Sequence, residues 1–264
     1  MLIIAERINS SRKAIAEAVL SGDADVIRHE AKIQADAGAD YIDVNAGAFI
    51  KEELARLKWI VEVVQDAVSL PLCIDSPDAK VIDGILPLLE KPPMINSITL
   101  EPSRLEPILP LAVKYKAKVI ALCQSSKGMA ETADQKVRMA HELVEKAEQA
   151  GLPRDLLHVD PLVYPVATSP LSAVAALEAI ERIKKEIPGV HTICGLTNVS
   201  YGVPERKLIN RTFLVAAIVR GLDSAILDPT DKKLFGSMKA ALAVMGEDEY
   251  CLEFIEAYRA ERIA

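Results

Sequence analysis

The sequence predicts an α/β chain closed into a single (β/α)8 TIM barrel spanning residues 1–264. Three observations carry that expectation. Short β-rich apolar runs alternate with longer amphipathic patterns from one end of the chain to the other, and such alternation builds a parallel sheet. The length of 264 residues with 50% apolar content suits one core of barrel size. Nearly every apolar run is followed by a hydrogen-bonding residue, as expected where the carboxyl ends of barrel strands form a site.

In chain order, the first strand is read at 2–5, followed by an extra short helix at 13–20 and a return helix at 24–37 that Gly38 stops. The second strand, 41–44, returns through a helix at 52–67, and the third, 72–74, through one at 79–89. Strands at 94–96 and 118–122 are followed by helices at 105–115 and 135–150, the latter stopped by Gly151-Leu152-Pro153. The sixth strand, 156–159, leads to a helix at 171–185 ended by Pro188-Gly189. Strands at 192–196 and 224–227 pair with helices at 207–220 and 233–244, and a last helix at 249–262 caps the barrel. Glycine supplies the left-handed backbone that stops such helices. No linker or low-complexity stretch divides the chain.

Composition excludes several function classes. A charged content of 26% with no apolar run of spanning length argues against a membrane protein. The start, Met1 to Arg7, lacks the basic segment of a secretion signal, so a cytoplasmic location is expected. A net charge of −7 opposes binding to nucleic acid. Cys73, Cys123, Cys194 and Cys251 form no C-x-x-C pair, and none of the four histidines has a metal-type partner, so no protein-bound metal is expected. His158, two residues before Asp160 on one strand face, is read as core packing, as are Cys73 and Cys194.

The residues leaving the strands are Glu6 and Asn9, Asp43 and Asn45, Asp75 and Ser76, Asn96 and Ser97, Gln124, Asp160, Thr197 and Asn198, and Asp228. Any one of them is explained as a loop or helix-cap residue. Their recurrence implies a shared rim of carboxylates and amides with few basic groups. Such a rim suits a neutral, donor-rich heterocycle such as a pterin, whose ring N–H and amine groups carboxylates accept from. No G-x-G-x-x-G or G-x-x-x-x-G-K-[ST] phosphate cradle is present.

Six of these segments, Glu6-Arg7-Ile8-Asn9, Asp43-Val44-Asn45, Cys73-Ile74-Asp75-Ser76, Ile95-Asn96-Ser97, Val159-Asp160-Pro161 and Gly195-Leu196-Thr197-Asn198-Val199-Ser200, resemble in order and spacing the pterin-binding methyltransferases of one-carbon metabolism. The likeness extends through Leu208 to Phe213 and is closest to the methyltetrahydrofolate:corrinoid-protein methyltransferases. It implies that Asp75, Asn96 and Asp160 hold the pterin edge, that Gly195 and Arg206 flank it, and that Asn198 is catalytic beside the methyl-bearing nitrogen. Glu6, Asp43, Asn45, Ser97 and Thr197 would support the floor. Methyltetrahydrofolate or tetrahydrofolate would be the substrate and a corrinoid (cobalamin) the methyl partner. With no D-x-H-x-x-G segment in the chain, the corrinoid is expected on a separate, transiently docked protein. The family also suggests a homodimer. Asn198 would stabilise charge at the nitrogen, leaving the proton donor open.

Two alternatives remain beside this reading. Dihydropteroate synthase shares the pocket, but its S-F-S-D-G-G and S-R-K segments are missing. A non-catalytic folate-binding module would keep the barrel without turnover. A metal-dependent barrel hydrolase finds no histidine cluster to support it.

Overall fold

A computed structural model describes residues 1–126 and 128–263. Eight parallel strands close a barrel: β1 (Leu2–Asn9), β2 (Tyr41–Asn45), β3 (Leu72–Asp75), β4 (Met94–Ile98), β5 (Lys118–Leu122), β8 (Leu157–Asp160), β9 (His191–Gly195) and β10 (Ser224–Leu227). Each pairs with the next, and β10 closes on β1 through the register Leu2 to Ser224. The two strands omitted from that series, β6 (Gln124–Ser125) and β7 (Gly128–Met129), form a small antiparallel hairpin beyond the end of β5. Two-residue strands are too short to show periodicity, so sequence reading misses them.

The helices outside the barrel are α1 (Lys13–Ser21), α2 (Ala24–Asp36), α3 (Glu53–Ala67), α4 (Ala79–Ile85), α5 (Pro102–Tyr115), α6 (Ala133–Gln149), α7 (Ser172–Glu186), α8 (Arg206–Val219), α9 (Lys232–Val244) and α10 (Leu252–Arg259). Their starts follow local chemistry. Asp23 caps α2, Asp231 caps α9, and Thr132 with Gln135 forms a reciprocal capping box on α6. Among the described residues no helix is long and apolar enough to cross a membrane.

Three expected elements are corrected. The helix read at 79–89 ends at Ile85 and tightens into a 3-10 turn at Leu86–Leu88, because Pro87 cannot donate an α-helical hydrogen bond. The final helix is α10 alone, since Tyr250 and Cys251 both take left-handed backbone angles, φ 54° and 56°. Strand β1 runs on to Asn9, so Glu6 and Asn9 lie on the strand rather than after it.

Side chains alternate across a strand with a period of two, and that alternation builds the site. Inside the barrel, Ile4, Tyr41, Cys73, Met94, Ile120 and Ile193 form an apolar plug. Two residues further along their strands stand Glu6, Asp43, Asp75 and Asn96, one layer nearer the carboxyl ends. His158 completes the plug, fully buried, with its ring stacked 4.8 Å from that of His191 and its Nδ1 3.0 Å from Ser224 Oγ. Burial and the neighbouring ring push its pKa down to about 3, so it is a neutral packing residue, as expected. Cys194 faces the other way, into the layer between sheet and helices with Phe213 and Leu214.

Candidate active site

Above the plug lies a cavity of about 570 Å³ at the carboxyl ends of the strands. Of the residues expected at the site, Glu6, Asp43, Asp75, Asn96, Gly195, Thr197, Asn198 and Arg206 line it together. Asn9, Ser11, Ile226 and Asp228 complete the wall with Arg7 and Arg12.

Asn45, Ser97 and Asp160 stand behind that wall. Asn45 bridges neighbours: its Nδ2 donates to Asp75 Oδ2 at 3.0 Å, while its Oδ1 accepts from Ser10 Oγ and from the Gly47 amide. It orients Asp75. Ser97 is buried and accepts, through its carbonyl and its hydroxyl, from Arg104. Asp160 is 3% exposed. Its Oδ1 accepts from the Leu162 amide at 2.7 Å and its Oδ2 from the Gly195 amide at 3.2 Å.

The expectation of few basic groups is corrected, because three guanidiniums face four carboxyls in the wall. Arg7 is neutralised by Glu30 at 2.7 Å and Asp228 at 2.9 Å. Arg206 is tied to the turn after β9, with Nη2 donating to the Thr197 carbonyl and Nε to Ser200 Oγ, and its guanidinium lies over the Tyr201 ring. Arg12 donates to the Arg7 carbonyl at 3.2 Å and forms no ion pair among the described residues. The pairing of Arg7 with Asp228 joins residues 221 positions apart, so nothing local in the sequence announces it.

Burial dominates the electrostatics. It lifts Asp43 well above the ordinary carboxylate range, helped by the charge of Asp75. Burial also raises Asp75 to about 6, against the hydrogen bond from Asn45. Asp160 rises to about 6 for the same reason, against the two backbone amides it accepts from. Glu6 rises to about 7 through burial and then the charge of Asp228, with Arg12, Arg206 and a hydrogen bond to Thr197 opposing.

A stability profile follows from these directions. Between about pH 4.5 and 7 the unfolded chain has released these protons while the folded chain retains them, so stability falls as pH rises and levels off above 7. Urea unfolding at pH 5 and pH 8 is expected to differ by a few kcal/mol, lower at pH 8. The opposite ordering would show that ion pairing outweighs burial.

Lys136 is the residue near the site that sequence reasoning missed. Its ammonium is buried and donates to the carbonyls of Ala130, Pro161 and Leu162 at 2.9, 2.7 and 2.7 Å, with the Tyr164 ring 4.8 Å away. It thereby clamps the loop after β8, where Leu162 is held at φ 58° and donates its amide to Asp160. In sequence it is one lysine among the polar residues of an amphipathic helix. Only an unusual lysine position in the first turn, where cations are disfavoured, hinted at a partner. Lys136→Met, which strands three buried carbonyls, is expected to lower unfolding stability by about 3 kcal/mol or more; a loss under about 1 kcal/mol in urea unfolding would exclude the clamp.

Cys123 is buried, donates its thiol to the Lys136 carbonyl and has its pKa pushed up by burial, which removes it from consideration as a nucleophile. Among the described residues no group of three or more His, Cys, Asp or Glu side chains is placed to hold a metal ion.

Fold and site together define a barrel enzyme with a ring-sized, acid- and amide-rich cavity at the strand ends. The family model for pterin binding enzymes matches residues 5–228. The methylcorrinoid:tetrahydrofolate methyltransferase of Eubacterium limosum is 36% identical, with 100% of this chain and 98% of that protein covered. Methionine synthase of Mycobacterium tuberculosis is 30% identical over 86% of this chain, which spans 20% of that larger protein. Among solved structures, the dihydropteroate synthase of Xanthomonas albilineans with 4-aminobenzoic acid has a TM-score of 0.69 at 19% identity, covering 93% of this chain and 91% of that one. That of Coxiella burnetii with pteroic acid has a TM-score of 0.68 at 14% identity, covering 92% of each chain. At those identities the synthases share the fold alone. The chain belongs to the pterin-binding enzymes and, within them, is a methyltransferase.

Proposed function

We propose that this methyltransferase moves a methyl group between a tetrahydrofolate and the cobalt of a corrinoid carried by a separate protein. The observation that carries the reading is the convergence of Asp75, Asn96 and Asn198, from three distant parts of the chain, on one cavity of about 570 Å³. That volume falls within the range of small-molecule sites. The full-length likeness to a protein named methylcorrinoid:tetrahydrofolate methyltransferase supports the same chemistry.

In this reading Asp75, Asn96 and Asp160 meet the polar edge of the pterin, and Gly195 and Arg206 flank the ring. Glu6, Asp43, Asn45, Ser97 and Thr197 hold the floor. Asn198 donates its amide N–H to the methyl-bearing nitrogen. A methyl on a tertiary amine leaves poorly, since the departing group would be an amide anion, so donors that meet charge at that nitrogen lower the barrier. Gly195 stands beside that amide: a Cβ there would come into contact with Asn198 Nδ2 at 3.4 Å. The corrinoid supplies a nucleophilic cobalt(I) or a methylated cobalt, according to direction. One domain spans the chain, the assembly is a homodimer, and the corrinoid protein docks transiently over the barrel mouth.

The test is a spectroscopic methyl-transfer assay with methyltetrahydrofolate and cobalt(I) cobalamin. Loss of the cobalt(I) band in step with methylcobalamin formation is the expected result. Tight folate binding with no transfer, beside a competent control enzyme, would exclude cobalt as the methyl acceptor.

A further inference from the structure

We propose that Glu6 is the acid and base that exchanges the proton of the methyl-bearing ring nitrogen. The inference rests on the pterin reading above and assigns the one chemical role that reading leaves vacant.

Four carboxyls line the cavity, and the surroundings of three commit them to other tasks. Asp228 accepts from Arg7 at 2.9 Å and from the hydroxyl and amide of Thr230 at 2.6 and 3.0 Å. Asp75 accepts from Asn45. Asp43 lies deepest, 2% exposed, with Asn96 Nδ2 at 3.4 Å and the Cys73 thiol beside it. The N–H donors on Asp228 and Asp75 favour their anions and hold them as acceptors, while Asp43 is set apart by its depth. Glu6 differs: it lines the same cavity as Thr197 and Asn198, and among the described residues no N–H group donates a hydrogen bond to its carboxyl. Thr197 precedes Asn198 in the turn Leu196–Ser200, whose Thr197 carbonyl is pinned by Arg206. A carboxyl free to keep or release a proton thus adjoins the residue assigned to the reacting nitrogen.

The charges around Glu6 come from every neighbouring element. Asp228 beyond β10 disfavours its anion, while Arg12 after β1 and Arg206 on α8 favour it, and the charge of Glu6 in turn raises Asp43 on β2. Burial tips the balance and leaves the group titrating at about 7, where an acid–base catalyst works in both directions.

Toward cobalt, the Glu6 carboxyl gives its proton to the nitrogen lone pair. The nitrogen–methyl bond then breaks with its electron pair returning to nitrogen, as the cobalt(I) pair forms the bond to carbon, and the Glu6 carboxylate regains a proton from solvent. Toward folate, the nitrogen lone pair forms the bond to carbon as the cobalt–carbon bond breaks, leaving its pair on cobalt(I). The N–H proton of the resulting ammonium passes to Glu6.

Glu6→Gln tests the role, because it keeps the side chain's shape and an acceptor oxygen while removing the ionisable proton. Turnover of E6Q toward cobalt is expected to fall by roughly 100-fold, with methyltetrahydrofolate affinity within about threefold of wild type and the limb near pH 7 lost from the kcat profile. Glu6→Asp, still ionisable, is expected to recover part of that turnover with a displaced limb. Infrared difference titration of the protein without substrate is expected to show a protonated-carboxyl band that disappears with a midpoint near 7 in wild type and is missing in E6Q. A competent wild type whose turnover and pH profile survive in E6Q overturns this proposal alone. A wild type that binds methyltetrahydrofolate and passes no methyl to cobalt(I) overturns the proposed function and this role with it.

Discussion

Asn198→Ala is expected to lower turnover by about 100- to 1,000-fold, the effect of deleting one donor aimed at developing charge, and to leave folate affinity within about threefold. The side-chain amide of Asn198 makes no hydrogen bond among the described residues, so its removal disturbs no internal network. Its value arises when charge changes at the reacting nitrogen, and a group that acts only there appears in kcat and not in binding. Single-turnover methyl transfer and calorimetric folate titration on the same preparation separate the two quantities. Equal loss in both would make Asn198 a binding residue and remove it from catalysis.

Asp160→Ala is expected to act through affinity and stability together. Its two oxygens accept from the Leu162 and Gly195 amides, and truncation leaves both donors buried without partners. Each stranded donor costs about 1–3 kcal/mol, so unfolding stability should drop by about 3 kcal/mol. Gly195 lines the cavity, and loss of a charge-assisted contact to the ring edge should weaken folate binding by roughly 10- to 100-fold. Asp160→Asn, isosteric but neutral, separates the effects, since it retains an oxygen for Leu162. Wild-type affinity in a folded Asp160→Ala protein would exclude contact between Asp160 and the ring.

The two variants also mark where sequence reading reached and where it stopped. Asn198 and Asp160 are found from sequence because each follows an apolar run with the spacing of a barrel strand, and the rule linking strand ends to sites is general. What sequence reading cannot rank is the role of each rim residue. Asn45 and Asp75 leave adjacent strands with the same local pattern, yet Asp75 lines the cavity and Asn45 turns to orient it. Lys136 carries no signal beyond its place in a helix's first turn, because a lysine becomes a buried clamp only through carbonyls of two other loops.

The alternation of apolar runs and amphipathic helices, the polar residues two places beyond Ile4, Tyr41, Cys73 and Met94, and the stops at Gly38, Gly151 and Gly189 are local patterns. They are set by backbone geometry and side-chain periodicity over a few residues, and the sequence alone determined them. Whether a carboxyl at the rim is an acceptor or a proton carrier depends on burial and on charges brought from strands far apart. The grip of Arg7 on Asp228 and the raised pKa of Glu6 therefore exist only once β10 closes on β1, and the stacking of His158 on His191 only once β8 pairs with β9.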